Sequence, residues 1–158
     1  MTRYAATTSV SSDQSKAEIE QTLRRYGASS FGYGWEGERA MVGFVVNGRQ
    51  IRFVLPMPDP NAREFTHTPA RHQRRSSTEA EKAYEQAVKQ RWRALALVIK
   101  AKLEAVESGI VSFEDEFSAH MVLPNGERVG DLVTRAIDTA YASGSPRPLL
   151  QLGATPHV

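Results

Sequence analysis

A chain of 158 residues without cysteine is long enough for one domain, and it excludes a disulfide framework, a thiolate metal site and a cysteine nucleophile. No apolar run approaches the roughly 18 residues of a membrane span, and the polar N-terminus is unlike a signal peptide, so we expect a soluble cytoplasmic protein without a membrane partner. The formal net charge is only +2, so a basic binding surface requires an uneven distribution of charge.

A first helix is predicted over about residues 16–26. Ser15 and Glu18 fit a capping box, in which the serine hydroxyl and the glutamate carboxylate satisfy free backbone N–H groups at a helix start. Gly27 then supplies the left-handed residue that ends the helix. The preceding residues, 1–14, are predicted to form a mobile arm.

From Ser29 the apolar period changes to two, which predicts a three-stranded antiparallel meander. Asn47-Gly48 is a strong hairpin signal, and a second tight turn is expected at Gly37-Glu38. Both turns place the same alternating residues on one face, which we predict to be the core face: Phe31, Tyr33, Trp35, Ala40, Val42, Phe44, Ile51, Phe53 and Leu55. The other face is mixed and open to solvent or to a partner: Met41, Gly43, Val45, Gln50, Arg52 and Val54.

Three prolines end the sheet, and residues 59–77 are predicted to be a long loop without periodicity. Between Arg49 and Arg75 the chain has six arginines against two acidic residues. The centre of the loop reads Arg71-His72-Gln73-Arg74-Arg75. Loops of this length in a compact domain are usually functional or disordered, so this basic loop is a candidate binding element.

A long helix is predicted from a second capping box, Thr78 to Glu81, as far as Gly109, which is about 45 Å. Its apolar stripe consists of Tyr84, Val88, Trp92, Leu95, Ile99, Leu103 and Val106. Four basic residues fall within about 20° of one line on the opposite side, namely Lys82, Lys89, Arg93 and Lys100. They predict a basic ridge. Because Glu104 and Glu107 continue the line, an ordinary solvated face is the alternative.

Beyond the long helix, Ser112 is expected to cap a short turn that contains two phenylalanines. A strand over 120–123 then leads into a turn at Pro124-Asn125-Gly126. A final helix over about residues 130–142 is predicted to point four side chains inward: Val133, Ile137, Ala140 and Tyr141. Residues 15–142 therefore form a single predicted α+β domain, made of an N-terminal helix, a meander, a long helix, a short strand with its turn and a C-terminal helix. Residues 143–158 are predicted to be a mobile tail.

The sequence offers no catalytic constellation, and we predict a protein that is not an enzyme and needs no cofactor. The four histidines lie mostly in predicted loops, away from any nucleophile pattern. The adjacent acids Glu114, Asp115 and Glu116 point in different directions, as in a solvated helix start, so no metal site is predicted. A metal held by Asp115 or Glu116 together with His120 is the alternative.

The ingredients of nucleic-acid binding are present, because arginines and lysines neutralise phosphates and a basic loop can wrap a strand. The predicted contact residues are Arg52, Arg71, Arg74, Arg75, Lys82, Lys89, Arg93 and Lys100. Base stacking is not expected, because the aromatic side chains of the meander fall on the predicted core face and Trp92 falls on the apolar stripe of the long helix.

Several segments of the sequence resemble small proteins of tailed phages and prophages. They are the block Ser15–Pro58, with Phe31-Gly-Tyr-Gly-Trp35 and Arg52-Phe-Val-Leu-Pro-Met-Pro58, and the stretch Gln90–Gly109 followed by Phe113-Glu-Asp-Glu-Phe117. The order of elements is also similar to the double-stranded RNA-binding domain, although the long helix begins Thr78-Glu79-Ala80-Glu81 in place of that module's lysine cluster. A meander followed by a long helix is likewise similar to the core of phage single-strand annealing proteins.

The phage resemblance implies a source and a set of early tasks, not one activity. We therefore expect a non-enzymatic accessory protein of phage DNA recombination or replication, acting in the host cytoplasm and binding DNA or RNA, with single and double strands both open. The alternative is a regulator or anti-defence inhibitor that binds a host or phage protein. Homo-oligomerisation is also left open.

Overall fold

The computed structural model describes residues 5–145, and the predicted order of elements is confirmed. The helices are α1 (Ser12–Arg25), α2 (Arg63–Thr66), α3 (Ser77–Glu107), α4 (Phe113–Phe117) and α5 (Val129–Ser143), and the strands are β1 (Ser30–Glu36), β2 (Arg39–Val46) and β3 (Arg49–Pro56). A 3₁₀ turn, Ser118–His120, follows α4. Residues 1–4 of the predicted arm and 146–158 of the predicted tail lie outside the described residues. Within the described part, no helix is long and apolar enough to cross a membrane.

The three strands form an antiparallel sheet of order β1-β2-β3 with the predicted register. Phe44 pairs with Ile51 across one turn and with Phe31 across the other. Asn47 and Gly48 have φ values of 51° and 71°, as a two-residue hairpin loop with a tight turn requires. The two turns therefore determine which residues share a face.

The helices α1, α3 and α4 cover one face of the sheet, and together with it they form the core. Its buried members are Ile19, Leu23, Ala40, Val42, Phe44, Val46, Ile51, Phe53, Trp92, Leu95, Ala96, Ile99, Leu103, Phe113 and Phe117. The prediction that Tyr33 and Trp35 belong to this core is wrong, because they are 55% and 59% exposed. They lie on the edge strand β1, where Phe31 still packs on the core and Tyr33 contacts Trp92 of α3 in an edge-to-face arrangement.

Both predicted capping boxes lie downstream of the real ones. The helix α1 is capped by Ser11 with Gln14, and α3 is capped by Ser76 with Glu79. Each of the two segments contains two capping boxes close together, and using the upstream one adds helical residues, each with its own backbone hydrogen bond. Ser15, predicted as the cap, is instead buried inside α1.

Part of the predicted arm lies against α3. The side-chain amide of Gln86 donates to the carbonyl groups of Ala6 and Thr8, at 3.4 and 2.9 Å. Residues 12–14 fall in the predicted arm, but they form the first turn of α1. The chain is thus folded from upstream of the predicted domain boundary at residue 15.

The C-terminal part follows the predicted order but not the predicted packing. The strand expected over residues 120–123 is reduced to isolated bridges, Ile51 with Met121 and Val122 with Arg128. The helix α5 packs against the 3₁₀ turn, where a Cβ on Gly130 would lie only 2.6 Å from the carbonyl oxygen of Ala119.

The predicted inward face of α5 is wrong, because none of its residues is buried. Ile137 and Tyr141 are 46% and 87% exposed, whereas Val133 and Ala140 are partly covered. The face is exposed because α5 packs on the domain at the 3₁₀ turn, and no layer of the described residues covers its apolar side chains.

Candidate nucleic-acid interface

The predicted basic loop is an ordered hairpin. Its strands are joined by backbone hydrogen bonds from Arg75 N to the Thr66 carbonyl and from Thr68 N to the Gln73 carbonyl, both 2.8 Å, with a bridge between His67 and Arg74. The Thr68 hydroxyl also accepts from Gln73 N at 3.1 Å. We name residues 66–75 the basic hairpin. The predicted loop therefore contains the helix α2 and a short hairpin with one isolated bridge, and the two arms of the hairpin are too short for a period-two pattern to be visible.

Two contacts anchor the basic hairpin to the domain. The buried ring of Phe65, at its base, packs edge-to-face on Tyr84 of α3 with 5.7 Å between ring centroids. The guanidinium of Arg75 donates to the carbonyl groups of Glu64 and Phe65, at 3.3 and 3.2 Å. The predicted contact residue Arg75 thus holds the hairpin in place.

Arg71 and Arg74 are exposed on the basic hairpin, and Arg63 is exposed beside it. None of the three forms an ion pair with any residue of the described range. A surface pocket of about 600 Å³ lies between α2 and the hairpin, lined by Arg63, Glu64, His67, Thr68, Pro69 and His72. Positive charge and hydrogen-bonding groups therefore converge here, with Glu64 as one opposing carboxylate.

The predicted basic ridge on α3 does not lie on the side of the helix that is opposite the core. Arg93 is ion-paired with Glu18 of α1, so this line of residues flanks the contact between the two helices. Lys82 and Lys100 are exposed, and Lys89 is partly buried. The buried residues of α3 include Ala96 as well as Trp92, which shifts the covered sector of the helix towards the basic line.

Arg52 lies on the other side of the sheet from the helices. Its guanidinium donates to the carbonyl of Gly126 at 3.3 Å. It lines two surface depressions, a glycine-rich one of about 430 Å³ across the outer face and one of about 650 Å³ shared with Arg49 and residues 121–126. Because the basic hairpin packs on α3, Arg52 lies on a different surface from Arg71 and Arg74.

The acidic run is a capped helix start, as the sequence indicates. Ser112 caps α4 and donates its hydroxyl to Asp115, and Glu116 pairs with Lys102 at 2.7 Å. In the part of the chain that the structure describes, no three His, Asp or Glu side chains are grouped to hold a metal ion.

His120 lies beside these acids and is held neutral. Its ring stacks on Phe53 with 4.0 Å between centroids, and its Nδ1 is buried without a hydrogen-bond partner in the described structure. Burial, followed by the positive charges of Lys102 and Arg128, lowers the pKa of His120 to about 4. At neutral pH the ring is therefore uncharged and packs on Phe53.

The sequence missed an aromatic and cationic cluster at the edge of the sheet, in which Tyr33 and Trp35 are exposed, Lys16 is mostly covered and Trp92 is buried. The ammonium of Lys16 lies 5.2 Å from the ring centroid of Tyr33 and 4.8 Å from that of Trp92. Trp35 follows Tyr33 on the same face of β1. The one visible signal of this exposure in the sequence is that the aromatic residues alternate with Gly32 and Gly34. Small residues on the opposite face are unusual for a strand that is buried on both sides.

In a comparison with known proteins, no family model, no curated protein and no solved structure matches the chain. The phage resemblance of its sequence phrases accordingly stays a hypothesis.

Proposed function

We propose that the protein is a non-enzymatic nucleic-acid-binding protein whose basic hairpin contacts phosphates. The observation that carries this proposal is the presentation of Arg71 and Arg74 on an ordered hairpin anchored by Phe65 and Arg75. Arginines on a preorganised element lose less conformational entropy on binding than arginines on a disordered loop. Neither arginine is neutralised by a carboxylate among the described residues.

The pocket beside the hairpin supports the same chemistry. Arg63 presents a planar donor fork that matches phosphate oxygens, and Thr68, His67 and His72 add groups that hydrogen-bond. Lys82, one turn into the helix that follows the hairpin, is exposed and extends the positive surface. A footprint of about three or four phosphates gives an affinity that falls steeply with salt.

The biological role we propose is that of an accessory protein in phage DNA recombination or replication. The resemblance of its sequence phrases to proteins of tailed phages supports this role, which places the protein in the cytoplasm of the host cell. Its partner would then be DNA or RNA and its task would be binding, without a reaction of its own.

The test is the affinity for labelled single-stranded and duplex DNA across a salt series, with the double variant Arg71→Ala, Arg74→Ala. On duplex, the slope of log K against log salt should shrink by about 2, near 0.9 for each lost contact. The matched control is Arg24→Ala, Arg25→Ala, which removes the same charge from the end of α1 and should leave the slope close to wild type. Affinity no better than millimolar at low salt would refute the proposal.

A specific observation favours the second candidate, a regulator or anti-defence inhibitor that binds a protein. The helix α5 packs on the 3₁₀ turn but exposes Ile137 and Tyr141 to solvent, and exposed apolar side chains that lie together often mark a protein-binding surface. If the Arg71, Arg74 variant keeps its biological activity while Tyr141→Ser loses it, this second candidate is the correct one.

A further inference from the structure

Two large aromatic side chains stand exposed side by side on β1. Tyr33 and Trp35 are at alternate positions of one strand, so their rings point to the same side and their Cα atoms are about 6.6 Å apart. More than half of each side chain is open to solvent. The exposed part of each ring is a surface on which a planar partner can stack, on Tyr33 beside the ammonium of Lys16.

Tyr33 is held in position by its neighbours. Its ring lies 6.5 Å from Trp92 in an edge-to-face arrangement and 6.0 Å from Phe31. These contacts restrict the ring, which reduces the ordering that a stacked ligand has to impose.

The cluster also carries positive charge. The ammonium of Lys16 lies within 5.2 Å of the Tyr33 centroid, and its ion pair with Asp13 is loose, at 3.7 Å, with the Asp13 side chain almost fully exposed. Such a surface pair neutralises little of the charge. A ligand that combines planar rings with negative charge complements this surface.

The aromatic pair lies towards the end of the sheet from which the chain leaves for the basic hairpin. Trp35 pairs with Ala40, and the next turn is tied to the end of β3 by a hydrogen bond from Met57 N to the Glu38 carbonyl, 3.2 Å. Pro58 then lines a pocket with Arg75 at the base of the hairpin. Along α3, the hairpin end and Trp92 are separated by about 22 Å, a distance that a strand of about 12 nucleotides can span.

We infer that Tyr33 and Trp35 form a stacking platform for two bases of a single-stranded nucleic acid whose phosphates lie on the basic hairpin. This inference rests on the proposed function and adds the class of ligand. Only unpaired bases can lie on the rings, because the bases of a duplex are stacked on one another. The protein therefore prefers single strands to duplex of equal length.

The test compares a 12-nucleotide oligothymidine, a 4-nucleotide oligothymidine and a 12-base-pair duplex. Trp35→Ala should weaken binding of the 12-nucleotide strand by about 5- to 100-fold and change duplex binding less than about twofold. Trp35→Phe should restore most of the affinity, and Tyr141→Ala, which removes an exposed ring from α5, should have no effect. The 4-nucleotide strand is too short to reach both surfaces and should bind wild type and Trp35→Ala about equally.

Tryptophan fluorescence is a second readout, because Trp35 is exposed and Trp92 is buried. The 12-nucleotide strand should quench the wild type, and this quenching should be lost in Trp35→Phe. If wild type binds duplex and single strand equally and Trp35→Ala changes neither, the stacking platform is wrong while the hairpin function stands. If wild type binds no DNA, the proposed function itself is wrong. If Trp35→Ala converts a dimer into a monomer on size exclusion and leaves DNA binding unchanged, the rings form a contact between two copies of the chain, and the inference is overturned.

Discussion

The guanidinium of Arg93 on the long helix is ion-paired with the carboxylate of Glu18 on the first helix. Both side chains are less than about one third exposed. The pair therefore joins two elements that are far apart in sequence. Arg93, a predicted phosphate contact, instead forms a contact within the fold. Lys100, on the same line of α3, is exposed and serves as its matched comparison.

Replacing Arg93 by alanine should cost about 1 kcal/mol of unfolding free energy, because Glu18 is left partly buried without its partner. The salt slope of DNA binding should not change. Chemical denaturation and DNA titration of Arg93→Ala and Lys100→Ala measure both quantities. If Arg93→Ala has wild-type stability but a smaller slope of log K against log salt, Arg93 contacts DNA after all.

The two serines near the start of α1 should respond in opposite directions to alanine. Ser11→Ala removes the cap that accepts from Gln14 N and should cost about 1 kcal/mol. Ser15→Ala removes a buried hydroxyl without a hydrogen-bond partner among the described residues, and it should stabilise the protein by about 0.5–1 kcal/mol. Thermal melts of the two variants are sufficient. Destabilisation by Ser15→Ala would mean that the helix begins where the predicted capping box of Ser15 and Glu18 places it.

Acid should weaken the fold through His120. Because the folded pKa is about 4 and the ordinary value is 6.5, the unfolded chain takes up a proton first, and stability falls as the pH drops from 6.5 towards 4. Above pH 7 this group has no effect. We expect a loss on the order of 1–2 kcal/mol, below the full linkage value because the side chain is partly exposed.

Urea denaturation at pH 7 and pH 4.5 measures this loss. His120→Phe keeps a ring on Phe53 and removes the titrating group, so its stability should change less between the two pH values than that of wild type. Equal changes in the two proteins would show that other groups cause the acid sensitivity.

Phe65→Ala should release the basic hairpin without changing its charge. The buried ring and its contact with Tyr84 are lost, so the hairpin should open locally more often. Tryptic cleavage after Arg71 and Arg74 should accelerate by about tenfold or more, and DNA affinity should fall although every arginine is retained. Unchanged cleavage and affinity would show that the order of the hairpin does not depend on this anchor.

Phe44→Ala should destabilise the domain by about 3–5 kcal/mol, because the ring is fully enclosed between Phe53 and Phe117. Val45→Ala, the next residue on the outer face, should cost less than about 1 kcal/mol, since that side chain is only partly covered. Denaturant midpoints of the two variants compare the faces. A loss below 1 kcal/mol for Phe44→Ala would mean that the sheet faces are reversed.

The sheet register could be read from the sequence because it depends on local chemistry. Asn47 and Gly48 tolerate positive φ, and a two-residue loop leaves no freedom in which residues pair. The ends of the helices α1 and α3 were predictable for the same reason, since Gly27 and Gly109 adopt φ values of 85° and 75° after the last turns. The helix starts were not, because each serine-rich segment contains two boxes that are locally almost equivalent.

The sequence by itself determined the class of fold, the pairing of the strands and which residues share a face, because these follow from neighbours along the chain. Only the tertiary structure decided how far the helical layer extends over that face. It stops short of Tyr33 and Trp35 and leaves α5 uncovered, although their patterns match those of buried residues. Periodicity records which side of an element is apolar, whereas burial depends on whether another element lies above it, and that is a property of the whole fold.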